Sequence, residues 1–270
     1  MIPRHNKLPF LLLIFGLYLA YYSSLAVGSE ASREKAFSSA IHKTLSIGKA
    51  ISLDADGTTF LGILNENMDI EPKGTVILLH GLGSHPNSQQ VIQPLRVGLT
   101  KHGWVTLSIQ LPILDTGAKN TDYLALLDKA KPRIAAALKY INNNHPKPSV
   151  IIGHSLGALM ASHFLAGQTN SACSAFVTIS SPNFKTADQS TELNKLLEKI
   201  NLPILDIYGS QDLSSITQQA SRRKQTFIKN SPHNRQAEII GADHNYTGLD
   251  NALLSTIRGW LSKTLGEPAI

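Results

Sequence analysis

Cysteine is almost missing from this chain. Of 270 residues only Cys173 carries a thiol, so an internal disulfide is excluded and a cysteine-rich zinc site has too few ligands. Charge is sparse too: 16% of residues are acidic or basic and 42% are apolar, a globular composition rather than a disordered one. No internal repeat, low-complexity linker or second domain is visible. With no covalent staple, stability must come from a packed core. The 25 Lys and Arg outnumber the 19 Asp and Glu, but the excess is dispersed, so no nucleic-acid partner is expected. Arg222, Arg223 and Lys224 form the one compact basic run, and it reads as a solvated helix face.

Long apolar runs are also rare, and the exception is terminal. Met1 to Lys7 is short and positive, Leu8 to Ala20 is nearly unbroken apolar sequence, and small residues follow at Ser24 and Ala26. This is the pattern of an export signal, with cleavage expected after Ala26. Residues 1–26 are therefore assigned as a signal peptide and 27–270 as a single domain, periplasmic or secreted. The alternative is an uncleaved anchor from Leu8 to Gly28, the chain's only expected contact with a membrane. Cys173, in an exported protein, is expected to be buried on a strand.

The remaining chain alternates strands and helices. Leu45 to Leu53 and Thr59 to Asn65 flank the turn residues Asp54, Ala55, Asp56 and Gly57 and predict a hairpin. Strands are predicted at Thr75–Leu79, Trp104–Ile109, Ser149–Gly153, Ala175–Ser180, Ile204–Tyr208 and Ala237–Ile240. Helices are predicted at Asn87–His102, at Arg133–Asn143 behind Pro132, at Leu156–Ala166, and at the C-terminus, where Leu253, Ile257, Trp260 and Leu261 share a face. This succession implies a mostly parallel, doubly wound sheet with a leading antiparallel hairpin and helices on both faces. In such a sheet function gathers at the carboxyl ends of the strands.

Four of those ends carry candidate chemistry. Ser149–Gly153 runs into Gly153-His154-Ser155-Leu156-Gly157 and then a helix. The bare G-x-S-x-G pattern arises by chance in about one chain of this length in ten, so the flanking strand and helix carry the inference that Ser155 sits on a nucleophile elbow. Thr75–Leu79 ends in His80-Gly81-Leu82-Gly83-Ser84, flexible backbone where the amide of Leu82 can join that of Leu156 around a developing oxyanion, each worth about 3 to 4 kcal/mol. A dinucleotide loop is excluded because Pro86 stands where a third glycine is needed. His80 and His85 lack the carboxylates or H-E-x-x-H pattern of a metal site, so no metal and no cofactor are expected.

Asp212 follows the Ile204–Tyr208 strand and His244 follows the last one, in the chain order Ser, Asp, His of this topology. A serine hydroxyl needs an imidazole to take its proton, and the imidazole needs a carboxylate to fix its tautomer. His233 precedes its strand and belongs at the opposite edge. Asp206 falls mid-strand, where it would need a buried partner, and Asp243 adjoins His244, from which its side chain should diverge. Asn245-Tyr246-Thr247 matches a glycosylation sequon, taken as incidental.

These residues resemble the α/β-hydrolase superfamily over essentially the whole mature chain. The segments HGLGSHPN, GWVTLSIQLPIL and GHSLGA look, more narrowly, like an uncharacterised family of exported bacterial α/β-hydrolase-like proteins. The resemblance implies Ser155 as nucleophile, His244 as base, Asp212 as acid, and the Leu82 and Leu156 amides as oxyanion hole. Leu111, Ile113 and Leu114, after the Trp104–Ile109 strand, are expected to form an apolar substrate wall. Residues 181–200 are either a small lid or a helix packed on the sheet. Two functions fit: a serine hydrolase of small-molecule carboxylic esters or thioesters, or a catalytically idle envelope protein binding a ligand or partner on the same scaffold.

Overall fold

The computed structural model describes residues 32–145, 148–168, 172–184 and 191–266. The expected signal, residues 1–26, lies outside them, as do 185–190 of the expected lid. Among the described residues no helix is long and apolar enough to cross a membrane.

Helix α1, residues 32–44, precedes the hairpin β1 (Lys49–Ala55) and β2 (Thr58–Asn65), which pair antiparallel from Lys49↔Leu64 to Ala55↔Thr58. Only Asp56 and Gly57 remain in the loop, at φ 53 and 83, the doubly positive geometry that Asp-Gly supplies in a tight hairpin turn. Next come β3 (Gly74–Leu79), α2 (Ile92–Thr100), β4 (Trp104–Ile109), a 3₁₀ turn at Asn120–Ala125, and α3 (Leu126–Asn144). They are followed by β5 (Ser149–His154), α4 (Leu156–Ala166), β6 (Ala175–Ile179), α5 (Leu193–Lys199) and β7 (Ile204–Gly209). The short α6 (Ser214–Thr217), α7 (Ala220–Phe227), β8 (Arg235–Ile239) and α8 (Asp250–Leu265) complete the chain.

The eight strands form one sheet in the order β1-β2-β4-β3-β5-β6-β7-β8, parallel from β4 to β8 and antiparallel at the hairpin edge. Alternation along the strands divides two cores. Ile77, Leu107, Ile151 and Phe176 face α3, α4 and α5 on one side; Val76, Leu78, Ile152 and Val177 face α2 and α8 on the other. The central strands are covered on both faces, hence their continuous apolar runs. Leu253, Ile257, Trp260 and Leu261 of α8 are all buried, as their spacing requires.

Local details depart from sequence expectation, each for a physical reason. Pro132 does not start α3 but lies inside it. The apolar face continues through Leu127, Ala130, Ile134, Ala137 and Ile141, and burying it outweighs the one backbone bond that proline removes. Helix α2 begins at Ile92 rather than Asn87, because Val91 sits at φ 61 and breaks the helical path before it. The basic run is not one solvated face: Arg222 and Lys224 are exposed on α7, but Arg223 is buried. Its Nε donates to Asp206 Oδ2 at 2.8 Å, the buried partner that Asp206 needs on a central strand. Gln236 Nε2 donates to the same oxygen at 2.8 Å. In α5, Leu193, Leu196 and Leu197 are buried together with Ile200 against the sheet and its helices. Cys173 is buried two residues before β6, and burial pushes its thiol up to about 11, so it stays protonated.

Candidate active site

Chain reversal at the end of β5 produces the elbow. Ser155 occupies φ 52, ψ −123 between β5 and α4, a conformation that L residues avoid and that functional turns hold under constraint. Its neighbours explain the glycines: a Cβ on Gly153 would lie 2.5 Å from Ala158 Cα, and one on Gly157 would lie 2.4 Å from the His80 carbonyl oxygen. Neither can accept a side chain. The turn is tied to the sheet by the Ser155 amide, which donates to Ile179 O at 2.8 Å.

Loops after β7 and β8 converge on this point. His244 Nε2 lies 3.0 Å from Ser155 Oγ, and His244 Nδ1 lies 2.7 Å from Asp212 Oδ1. The three side chains thus form one hydrogen-bond series from hydroxyl to imidazole to carboxylate. Asp212 is buried and well supplied with donors: the Leu213 amide at 2.7 Å on Oδ1 and the Ser180 hydroxyl on Oδ2. Burial pushes its carboxyl up, but hydrogen bonds from His244 and Ser180 outweigh that and hold it below the ordinary value. Ser180, at φ 51, also lies 3.0 Å from the hydroxyl of the buried Tyr246. Ser180 and Tyr246 were not singled out in the sequence, because a serine after a strand and a tyrosine inside a sequon have no pattern of their own. Tyr246 is wholly buried.

The other acids near His244 are committed elsewhere. Asp243 accepts the Asn245 and Thr247 amides at 3.0 and 2.9 Å, capping its own turn. Asp206 is paired with Arg223. His233 lies before β8, where its carbonyl accepts Trp260 Nε1 at 2.8 Å.

The loop after β3 runs directly against the serine, since a Cβ on Gly81 would approach Ser155 Cβ to 3.2 Å. Leu156 is the first residue of α4, and Leu82 is 40% exposed at the tip of the loop. His80 fixes the loop's direction. Its Nε2 accepts the Leu111 amide at 3.0 Å, which leaves the proton on Nδ1 to donate to Gly81 O at 2.8 Å. In a trans peptide the carbonyl and the following N–H point in opposite directions, so a Gly81 carbonyl turned towards His80 turns the Leu82 amide away from it. Burial, first of all, lowers His80 to about 3 and keeps it neutral for this role.

The expected apolar wall is less open than its sequence suggests. Leu111 and Ile113 are buried, each 1% exposed, and Leu114 is the half-buried member of the three. Helix α1 meets this segment through its backbone: Glu34 accepts the Ile113 amide at 3.4 Å, and Arg33 donates to Leu114 O. A cleft of about 770 Å³ lies between α1, the hairpin and α3, with Phe60, Gln110 and Pro112 in its lining, and does not include Ser155. Among the described residues no cluster of His, Cys, Asp or Glu could hold a metal ion.

A mostly parallel eight-stranded sheet carrying a Gly-x-Ser-x-Gly elbow after its fifth strand defines an α/β-hydrolase fold. Solved structures with this fold align over most of the chain. Est1E from Butyrivibrio proteoclasticus superposes with TM-score 0.65 at 16% identity, covering 82% of this chain and 100% of its own. XC6422 from Xanthomonas campestris, described as an a/b serine hydrolase without lid, gives TM-score 0.65 at 15% identity, with 83% and 97% covered. Dienelactone hydrolase from Anabaena variabilis gives 0.62 at 20% identity, with 80% and 97% covered. The chain belongs to the family described as "Protein of unknown function (DUF3530)", whose model matches residues 24–124 and 115–263. No curated protein matches the sequence.

Proposed function

We propose that the protein is a serine hydrolase of carboxylic esters or thioesters, acting outside the cytoplasm through an acyl-enzyme on Ser155. The observation that carries this reading is the hydrogen-bond series Ser155–His244–Asp212 at 3.0 and 2.7 Å, at the tip of an elbow that exposes a serine at a strand end. That solved neighbours include esterases and a serine hydrolase supports it.

In this mechanism Ser155 Oγ attacks the substrate carbonyl carbon while His244 Nε2 takes the hydroxyl proton. Asp212 holds the imidazole with its proton on Nδ1 and balances the charge of the imidazolium. The carbonyl oxygen becomes an oxyanion between the amides of Leu82 and Leu156. Collapse breaks the bond to the leaving alcohol or thiol, which departs with the proton from His244. Water then gives a proton to the same nitrogen, adds to the acyl carbon, and the acid is released with Ser155 restored. Leu114 and the exposed Leu82 supply the apolar contacts for the acyl group, a surface small enough to favour short or narrow acyl chains.

The test is hydrolysis of a series of nitrophenyl esters from acetate to palmitate, with acyl thioesters in parallel. Turnover of the short esters that is lost in Ser155→Ala supports the proposal. No turnover of any ester or thioester by folded protein contradicts it.

A further inference from the structure

One residue outside the sheet grips the loop that carries Leu82. Arg33 lies in the first turns of α1, and its guanidinium reaches two loops at once: Nη2 donates to Gly83 O at 2.8 Å, and Nη1 donates to Leu114 O. These carbonyls belong to the segments following β3 and β4. A planar guanidinium fork can bridge them, whereas a single ammonium cannot hold both in one geometry.

The contact is built rather than incidental. Phe37, one turn on, lies under the guanidinium at 5.5 Å and sits tilted against His85 of the same loop, with ring centroids 4.7 Å apart and the planes 47° from each other. Next to Arg33, Glu34 accepts Arg133 Nη1 at 2.9 Å and the Ile113 amide at 3.4 Å. Gly83 has φ 62, and a Cβ there would meet Arg33 Nη2 at 3.3 Å. Glycines at 81 and 83 leave the loop many conformations, so its direction must be imposed from outside. His80 holds the Gly81 carbonyl on one side of Leu82, and Arg33 holds the Gly83 carbonyl on the other.

Resting on the hydrolase reading above, we propose that Arg33 is a positioning residue that sets the direction of the Leu82 amide towards the oxyanion, so that the segment preceding the hairpin is part of the catalytic assembly. An oxyanion donor displaced by even part of an ångström loses much of its effect on the tetrahedral state while leaving substrate binding almost unchanged.

The test uses the full chain with Arg33→Gln, Arg33→Lys and, as a control on the same helix, Lys35→Gln. Nitrophenyl ester turnover is expressed per active site titrated with a fluorophosphonate. R33Q should lower kcat about 10- to 100-fold with KM changed less than about threefold, weaken a boronic acid inhibitor in parallel, and speed amide exchange over residues 80–84 but not over α8. R33K should fall between R33Q and the parent, and K35Q should match the parent. If R33Q keeps kcat per titrated site within twofold, or loses only KM, the assignment of Arg33 is overturned. Should R33Q aggregate, R33K supplies the same comparison, and parental kcat and exchange in R33K overturn it equally. A parent protein that is folded but neither labelled nor active fails the hydrolase reading before any Arg33 variant is compared.

Discussion

His154 donates its Nε2–H to the backbone carbonyl of His244 at 2.9 Å, with the two rings 5.1 Å apart. The residue just before Ser155 therefore anchors the loop that carries His244. Burial first, and then the neighbouring His244 charge, lower His154 to about 4 and keep it neutral at pH 7. An unfolded histidine takes its proton near 6.5. Between about pH 4 and pH 6.5 the unfolded chain thus binds the extra proton, and this site contributes stability that is lost as pH falls. His154→Gln preserves an N–H donor and cannot titrate. Urea unfolding at pH 7 and pH 4 should show the variant losing about 2 to 4 kcal/mol less than the parent over that interval, and an equal loss in both would contradict the role.

Asp212 differs from its neighbours in having His244 as a partner. Asp212→Asn should reduce ester turnover by about 10³- to 10⁴-fold, because an amide in that place stabilises the wrong imidazole tautomer. Steady-state kinetics with a near-parental melting temperature would bear this out. Turnover within tenfold of the parent would show that another group orients the ring.

The Asp206–Arg223 pair predicts the opposite profile. Both side chains are buried, at 0% and 1% exposure, and removing one partner leaves the other charge uncompensated, a loss of about 3 to 5 kcal/mol. Asp206→Asn should show that loss in urea unfolding while turnover per folded molecule stays within about tenfold. If the D206N and D212N profiles are exchanged, Asp206 is the acid.

What the sequence disclosed follows from how local each constraint is. The elbow is legible because Gly153 and Gly157 are demanded by backbone atoms within a few residues or on the adjacent strand end, and strand β5 and helix α4 flank it as the pattern requires. Asp212 and His244 are legible because topology places them, one after each strand. Arg223 was misread because its run of charge says nothing of the strand beneath it; the acid it pairs with stands 17 positions away. Arg33 and Glu34 have no local pattern that marks them, since their partners at Gly83, Leu114 and Arg133 are distant in the chain. The spacing of Phe37 and Ile41, four residues apart, is a helical signal for α1.

Export gives a prediction outside the fold. Protein recovered from its native host should begin at Val27, read by terminal sequencing or intact mass, if Met1 to Ala26 is cleaved as its pattern implies. Recovery of the intact terminus in the membrane fraction would favour an anchor instead.

If His244 activates Ser155 for covalent attack, a fluorophosphonate should label that one hydroxyl. An unactivated hydroxyl does not attack such a probe at neutral pH, whereas one whose proton is taken by an imidazole does. Mass spectrometry of the labelled parent should find a single adduct, on Ser155, and labelling should vanish in Ser155→Ala and fall sharply in His244→Ala. Labelling that is equal in parent and Ser155→Ala, or an unlabelled but folded parent, would show that Ser155 is not activated.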